Sequence, residues 1–440
     1  MITETFLEIR PLETALGWDL ETERLKAIKQ EDRNTHFYII GASGVGKTKF
    51  LEYLIWQDII HQRGFGIIDP TGDLIRDVKE IIFKEEIDPE RVVIIDLKAS
   101  KEKTPTFNPL EKLPNISPSH QAKELVSAFK KIWIDSWGPR MEDLLKNTFI
   151  ALIEAELTLA EVPLFLTHGD FRRNVLSKTS HPITREYFQR FERLADKTKT
   201  EWVESTLNKI DAFLIDDEIR DLISLSKSSF NLRKVMDNKK ILLINLDKGK
   251  FLKEDAFLLG SLFLSKIWMA TLSRSEIPES QRTPFYLYID EFQNFATQDF
   301  IESLSEARKY GLSLTMVHQN LSQLSKELQG AILGNCGLQA CFRVARQDAE
   351  ILAKEFFQTT GLDIKTTKFF SKSIDDIYYT YQEEWERYFQ GLQNLSERMC
   401  YVKHKKQGGI ILIHTINIDI SKEGLGYLQI EFPYLKSRQE

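Results

Sequence analysis

The stretch His36-Phe-Tyr-Ile-Ile-Gly-Ala-Ser-Gly-Val-Gly-Lys-Thr-Lys-Phe-Leu51 decides the fold. Its first five residues form a short, unbroken apolar run, the pattern of a strand buried on both faces, and the residues after Thr48 enter a helical pattern. Between them, Gly41-Ala42-Ser43-Gly44-Val45-Gly46-Lys47-Thr48 satisfies G-x-x-x-x-G-K-[ST]. Glycines let successive backbone N–H groups curl around a phosphate, and the N-terminus of the following helix adds partial positive charge. Lys47 is placed to reach the β- and γ-phosphates of a nucleotide, and Thr48 to ligate Mg²⁺.

Working outward, Phe65–Ile68, Val92–Ile95, Ile241–Asn245, Phe285–Ile289, Leu312–Val317 and Leu338–Phe342 repeat the short apolar run, each followed by helical patterning. This alternation predicts an α/β, doubly wound core with a largely parallel sheet. Between about Pro114 and Met236 the strand-like runs stop and amphipathic stretches take over, among them Gln121–Trp133, Met141–Glu156 and Glu201–Phe213. The expected organisation is a motor domain in two parts, residues 1–113 and 237–440, interrupted by an all-α insertion over 114–236. The alternating segment Ile410–Ile420 reads as one or two late strands near a sheet edge.

A phosphate loop needs an acid at the end of another core strand to hold Mg²⁺. Asp69, Asp96 and Asp290 each follow such a run, but only Asp290 is succeeded by a second carboxylate, Glu291. The pair divides the work, with Asp290 on the metal and Glu291 as the base that polarises an attacking water, which points to hydrolysis. For Asp69 and Asp96 the alternative is a turn or helix cap. No Asn-Lys-x-Asp guanine signature follows the later strands, so ATP is the expected nucleotide. Gln319, at the tip of the strand Leu312–Val317, is a γ-phosphate sensor candidate, and Arg308 an arginine-finger candidate.

With 440 residues, 42% hydrophobic, and 34 Gly and Pro in all, the chain is neither disordered nor fibrous. Its 65 acidic and 59 basic residues give a net charge of −6, so a nucleic-acid partner would meet a local basic patch rather than a whole-molecule field. Lys130-Lys131, Arg172-Arg173 and Lys239-Lys240 are such patches, each equally readable as a solvated surface. Three cysteines, Cys336, Cys341 and Cys400, make no disulfide framework. The longest apolar run, Ala256–Leu264, ends at Lys266, and the first 35 residues are studded with charge. Together these predict a cytoplasmic protein without a membrane anchor of its own. Trp133 and Trp137, four apart, read as core on one helical stretch.

The ordered set Gly41–Thr48, Ile68-Asp-Pro-Thr-Gly-Asp-Leu74, Phe107-Asn-Pro-Leu110, Ser136-Trp-Gly-Pro-Arg140, Asp290-Glu291, Ala307-Arg-Lys-Tyr-Gly311, His318-Gln319 and Phe342-Arg343 resembles the HerA and TraG/TraD-type coupling-protein ATPases of the FtsK–HerA group. The resemblance runs from about residue 15 to 415. It implies a RecA-like P-loop NTPase core with an all-α insertion, and a ring of six subunits with ATP between neighbours and DNA moved through a central channel. It matches Arg308 to the family's arginine finger and Gln319 to its γ-phosphate sensor. Arg343 is a second inter-subunit candidate, and Asp69 and Asp73 look like the family's Asp-Pro-x-Gly-Asp element. Only 40 residues precede the loop here, too few for the membrane helices of coupling proteins or the N-terminal β-barrel of HerA enzymes.

The reading is therefore an ATP-driven, Mg²⁺-dependent DNA translocase, on double- or single-stranded DNA. Two alternatives share the same catalytic residues: a nucleotide-gated ring scaffold for a partner nuclease or secretion substrate in repair or defence, and a protein-moving secretion ATPase; a nuclease, a relaxase or a secretion complex is the expected kind of partner.

Overall fold

The computed structural model describes residues 12–97, 104–247, 252–297, 300–370, 373–418 and 428–429. Its strands are β1 (Glu13–Asp19), β2 (Leu25–Lys29), β3 (Phe37–Ile40), β4 (Gly64–Asp69), β5 (Val92–Asp96), β6 (Ile241–Asn245), β7 (Phe285–Ile289) and β8 (Leu312–His318). There follow β9 (Leu338–Cys341), β10 (Ile364–Phe370), β11 (Ser373–Tyr378), β12 (Met399–His404), β13 (Gly409–Thr415), β14 (Asn417–Ile418) and β15 (Leu428–Gln429). The chain divides into two compact units, Met1–His61 with Glu80–Glu85 and Leu314–Glu440, and Gln62–Lys79 with Glu86–Ser313.

In the first unit the strand order is β2-β1-β13-β12-β9-β3-β8. β3 lies between β8 and β9 and is parallel to both, while the strands beyond β9 are antiparallel. All four residues of β3 are buried, as its unbroken apolar run demands. The helix Lys47–Ile60 that follows is buried on every side from Phe50 to Ile59, including Glu52, Gln57 and Asp58. Burial on this scale requires paired polar groups. Asp58 takes both guanidinium nitrogens of the buried Arg33, at 2.5 and 2.6 Å. The Gln57 amide bonds both the N–H and the C=O of Ala15, at 2.8 and 3.0 Å, where a bulge breaks the β1–β2 register. β10 and β11 form a separate hairpin, and β14 pairs with β15. The expected strand region Ile410–Ile420 is β13 and β14 as far as Ile418; residues 419 and 420 lie outside the described residues.

In the second unit the order is β7-β4-β6-β5, parallel throughout. β4, β6 and β7 are buried at every residue. Between β5 and β6 the described chain is helical, from Pro118–Ile132 and Pro139–Glu154, through Asp196–Leu214, to Leu232–Asp237. Phe129, Phe149 and Phe213 join three of these helices, with ring centroids 5.6 and 6.4 Å from Phe129. The two tryptophans do not share a helix: the first helix stops at Ile132, and Gly138-Pro139 starts the next. Trp133 stacks on Phe129, and the Trp137 indole N–H donates to Glu142 at 2.9 Å. The helix Lys253–Leu272 continues into a 24-residue span, Lys253–Glu276, long and apolar enough to cross a membrane. Its apolar window is 89% buried inside the protein. Gly260 is needed there, because a Cβ would stand 2.3 Å from the Phe295 ring, four residues beyond Glu291.

Candidate nucleotide site

The loop between β3 and the helix Lys47–Ile60 takes the shape of an anion cradle. Gly44 and Gly46 have φ of 73° and 100°, in the left-handed region that glycine enters freely. Gly41 is required by a neighbour, since a Cβ there would lie 2.5 Å from the Cβ of Phe342. Gly41 N–H donates to the His318 carbonyl at 3.4 Å and Ala42 N–H to the Arg343 carbonyl at 2.8 Å, which ties the loop to the ends of β8 and β9. The N–H groups of Ser43, Gly44, Val45 and Gly46 donate to no group among the described residues. Lys47 Nζ turns back on the loop and donates to the Gly41 and Ala42 carbonyls, at 2.6 and 2.7 Å. Unpaired N–H groups at a helix N-terminus with an ammonium beside them bind a phosphate. The half-buried Thr48 hydroxyl also makes no hydrogen bond among the described residues, and it is a hard oxygen donor suited to Mg²⁺.

The parallel register pairs Ile40 with His318, so Gln319 leaves β8 level with the first residue of the loop. His318 is buried, with Nε2 2.6 Å from the Tyr38 hydroxyl. Burial pushes its pKa down to about 4, with Lys47 adding a smaller push in the same direction, so the ring is neutral. A histidine with a depressed folded pKa binds fewer protons folded than unfolded between pH 4 and 6.5. Its contribution to stability is therefore complete above pH 6.5 and lost as pH falls toward 4. At about 1.36 kcal/mol per unit, the loss reaches about 3 kcal/mol. Denaturant titrations of wild type and His318→Asn should diverge over that window in this sense, while ATP turnover should carry no His318 ionisation between pH 5 and 8. Arg343 is exposed at the end of β9, beside its own chain's loop.

The acid pair belongs to the second unit. Asp290 follows β7, and its N–H donates to the Ile68 carbonyl at 3.1 Å, continuing the parallel ladder with β4. Glu291 adopts φ 46°, ψ 46°, a conformation unfavourable for a residue with a Cβ, and its Oε2 accepts from Gln293 Nε2 at 2.6 Å. Asp69 is a cap: Oδ1 accepts from the Thr71 N–H and hydroxyl, both at 2.8 Å, and Oδ2 from the Ile75 N–H at 3.0 Å. Asp73 forms an exposed pair with Arg76, and Asp96 accepts from Lys79 at 2.6 Å.

Arg308 is exposed in the turn Ala307–Tyr310, and its guanidinium has no partner among the described residues. Gly311 accepts from the N–H of Phe285, the first residue of β7, whereas Asp290 follows the last. Gly311, which ends this turn, is therefore five strand residues, roughly 16 Å, from the acid-pair end of β7. Two arginines that carry no motif brace this turn. Arg274, fully buried, bonds Asp237 at 2.7 Å and the Tyr310 carbonyl at 3.0 Å, and Arg282 bonds the Lys309 carbonyl. Their signal is absent from local sequence, because each acts through a distant backbone carbonyl.

Of the basic pairs, Lys130 binds Glu142, and Arg172 is buried against Glu192 and the carbonyls of Phe165 and Leu166. Arg173 pairs with Asp170, and Lys240 donates to the Glu90 carbonyl. A groove of about 660 Å³, lined by residues 111–117 with Glu156, Ser226 and Lys227, lies on the second unit and holds none of the catalytic candidates.

Residues 284–388, which hold Asp290, Glu291, Arg308, Gln319 and Arg343, match the family model described as the TraM recognition site of TraD and TraG. The match is confined to this segment. The fold agrees: the bacterial conjugative coupling protein TrwBdeltaN70 superposes with a TM-score of 0.62 over 92% of this chain and 90% of its own, at 14% identity. TrwB in complex with ADP and Mg²⁺ gives 0.62 over 91% and 89%, at 16% identity. VirB4 of Thermoanaerobacter pseudethanolicus gives 0.59 over 91% and 95%, at 13% identity. No curated protein sequence matches the chain. Over the share that superposes, the chain has the fold of TrwB, a mixed α/β core with a largely parallel sheet and a helical insertion, which is the RecA-like architecture expected from the motifs.

Proposed function

We propose that this chain is an ATP-hydrolysing DNA translocase of the coupling-protein type, working in the cytoplasm as a homohexameric ring. The phosphate cradle carries the reading: four N–H groups without partners among the described residues, with Lys47 held over them by the loop's own carbonyls. ATP phosphates would replace those carbonyls as partners of Lys47 while the N–H groups of Ser43–Gly46 wrap the β-phosphate. Thr48 and Asp290 would hold Mg²⁺, which when bound neutralises charge on the phosphates. Glu291 takes the proton of the attacking water, and Gln319, level with the loop, senses the γ-phosphate. Arg308 serves the site of a neighbouring subunit, a role favoured by its exposed, braced position at the far end of β7 from its own acids. Arg343, beside its own loop, is then the weaker inter-subunit candidate.

The helical segment 114–236 is the inserted domain of this motor. A partner protein is supported by the segment match, whose description is of TraM recognition. The experiment is ATP turnover by the assembled protein with and without single- and double-stranded DNA. Stimulation by DNA supports the translocase, while turnover indifferent to DNA, or binding without turnover, favours the protein-moving ATPase or the gated scaffold respectively.

A further inference from the structure

Two fully buried polar rings meet at the tip of β8. The Tyr38 hydroxyl on β3 lies 2.6 Å from His318 Nε2, and the ring centroids are 5.4 Å apart. With Tyr38 as the donor, the neutral imidazole carries its proton on Nδ1, which is buried without a partner among the described residues. The parallel ladder does not need this bond. Register pairs Tyr38 with Met316 and Ile40 with His318 through the backbone, so two apolar side chains would serve the strands without burying an imidazole and a hydroxyl.

What the bond holds in place is the chain on both sides of Gln319. Before it, the His318 carbonyl accepts from the Gly41 N–H at 3.4 Å, and the Gly41 carbonyl in turn accepts from Lys47 Nζ at 2.6 Å. After it, the Asn320 N–H donates to Gln323 Oε1 at 3.2 Å and the Gln323 N–H returns to the Asn320 carbonyl at 3.3 Å, closing a capping box. The Asn320 backbone and the Gln323 side chain are also the groups that oppose burial in setting the His318 pKa, so the ring lies against this turn. Gln319 therefore sits between a residue pinned to β3 and a turn closed on itself, all within the first unit.

We infer that His318, held by Tyr38, is a positioning residue for Gln319: the pair fixes where the γ-phosphate sensor leaves β8 relative to the cradle. The inference rests on the proposal that Gln319 is that sensor. Phosphate release and mant-ADP binding by the full chain test it in a double-mutant cycle of Tyr38→Phe and Gln319→Ala. Tyr38→Phe removes one oxygen and keeps the ring. It is expected to lower kcat about tenfold with mant-ADP affinity at the wild-type level, and to cost nothing further in the Gln319→Ala background. His318→Asn should reproduce both results. A brace alone would lower the unfolding temperature and leave kcat unmoved. If Tyr38→Phe turns over like wild type, or its loss adds in full to that of Gln319→Ala, the inference fails while the sensor stands. If Gln319→Ala itself turns over like wild type, the sensor assignment fails and takes this inference with it.

Discussion

Glu291→Gln lowers ATP turnover by roughly 10²–10³-fold and leaves nucleotide affinity at the wild-type level. A positioned general base contributes about that much, and glutamine keeps the shape of the side chain without its capacity to take a proton. The structure gives a reason to expect no folding penalty. The Glu291 side chain bonds its near neighbour Gln293, and a glutamine can still offer a carbonyl oxygen to that amide. The αL backbone is occupied by the native residue at φ 46° and is equally accessible to glutamine. The measurement is steady-state phosphate release set beside mant-ATP binding on the same preparation. A variant that binds and hydrolyses like wild type would remove Glu291 from the chemistry and leave Asp290 as a structural acid.

Lys47→Ala has the other large effect, and it acts on binding as well as turnover. In the present structure the ammonium satisfies the Gly41 and Ala42 carbonyls, so its loss removes both the phosphate cation and the tie that draws the loop closed. Hydrogen bonds to charged groups stabilise by about 1.5–3 kcal/mol, so affinity for ATP should fall roughly 10- to 100-fold. Turnover at saturating ATP should fall by at least roughly 10²-fold, because the same cation stabilises charge that grows in the transition state. Isothermal titration and phosphate release separate the two effects. Retained affinity with lost turnover would assign Lys47 to catalysis alone.

The phosphate loop was legible because its chemistry is local: strand, glycines, Lys47, Thr48 and helix are contiguous, and periodicity alone places the flanking elements. The same holds for Asp290-Glu291 at the end of β7. Asp69 shows where local reading stops. Its place after a buried strand matches a metal ligand and a cap equally, and only the contacts of its oxygens with Thr71 and Ile75 decide for the cap. The helical segment was clear from the loss of strand patterning, but the break at Ile132 depended on Gly138-Pro139 starting a new helix.

The antiparallel strands were the poorest read. β12, Met399–His404, alternates buried and half-exposed residues, a period-two signal muted by its lysine and histidines, and β1 and β2 carry charges through a short hairpin. Arg274 and Arg282 were invisible for a different reason. Each works through a backbone carbonyl far along the chain, and no spacing rule encodes such a contact.

ATP hydrolysis at this cradle is expected to be coupled to DNA. The direct measurement is the rate of phosphate release by the wild-type assembly as single- or double-stranded DNA is titrated in at fixed Mg²⁺ and ATP, with Glu291→Gln as the blank. The expected result is a saturable rise in turnover with one or both forms of DNA, steeply weakened by added salt as phosphate contacts require, and no rise in the blank. A wild-type assembly that hydrolyses ATP at one rate whatever the DNA concentration would contradict it.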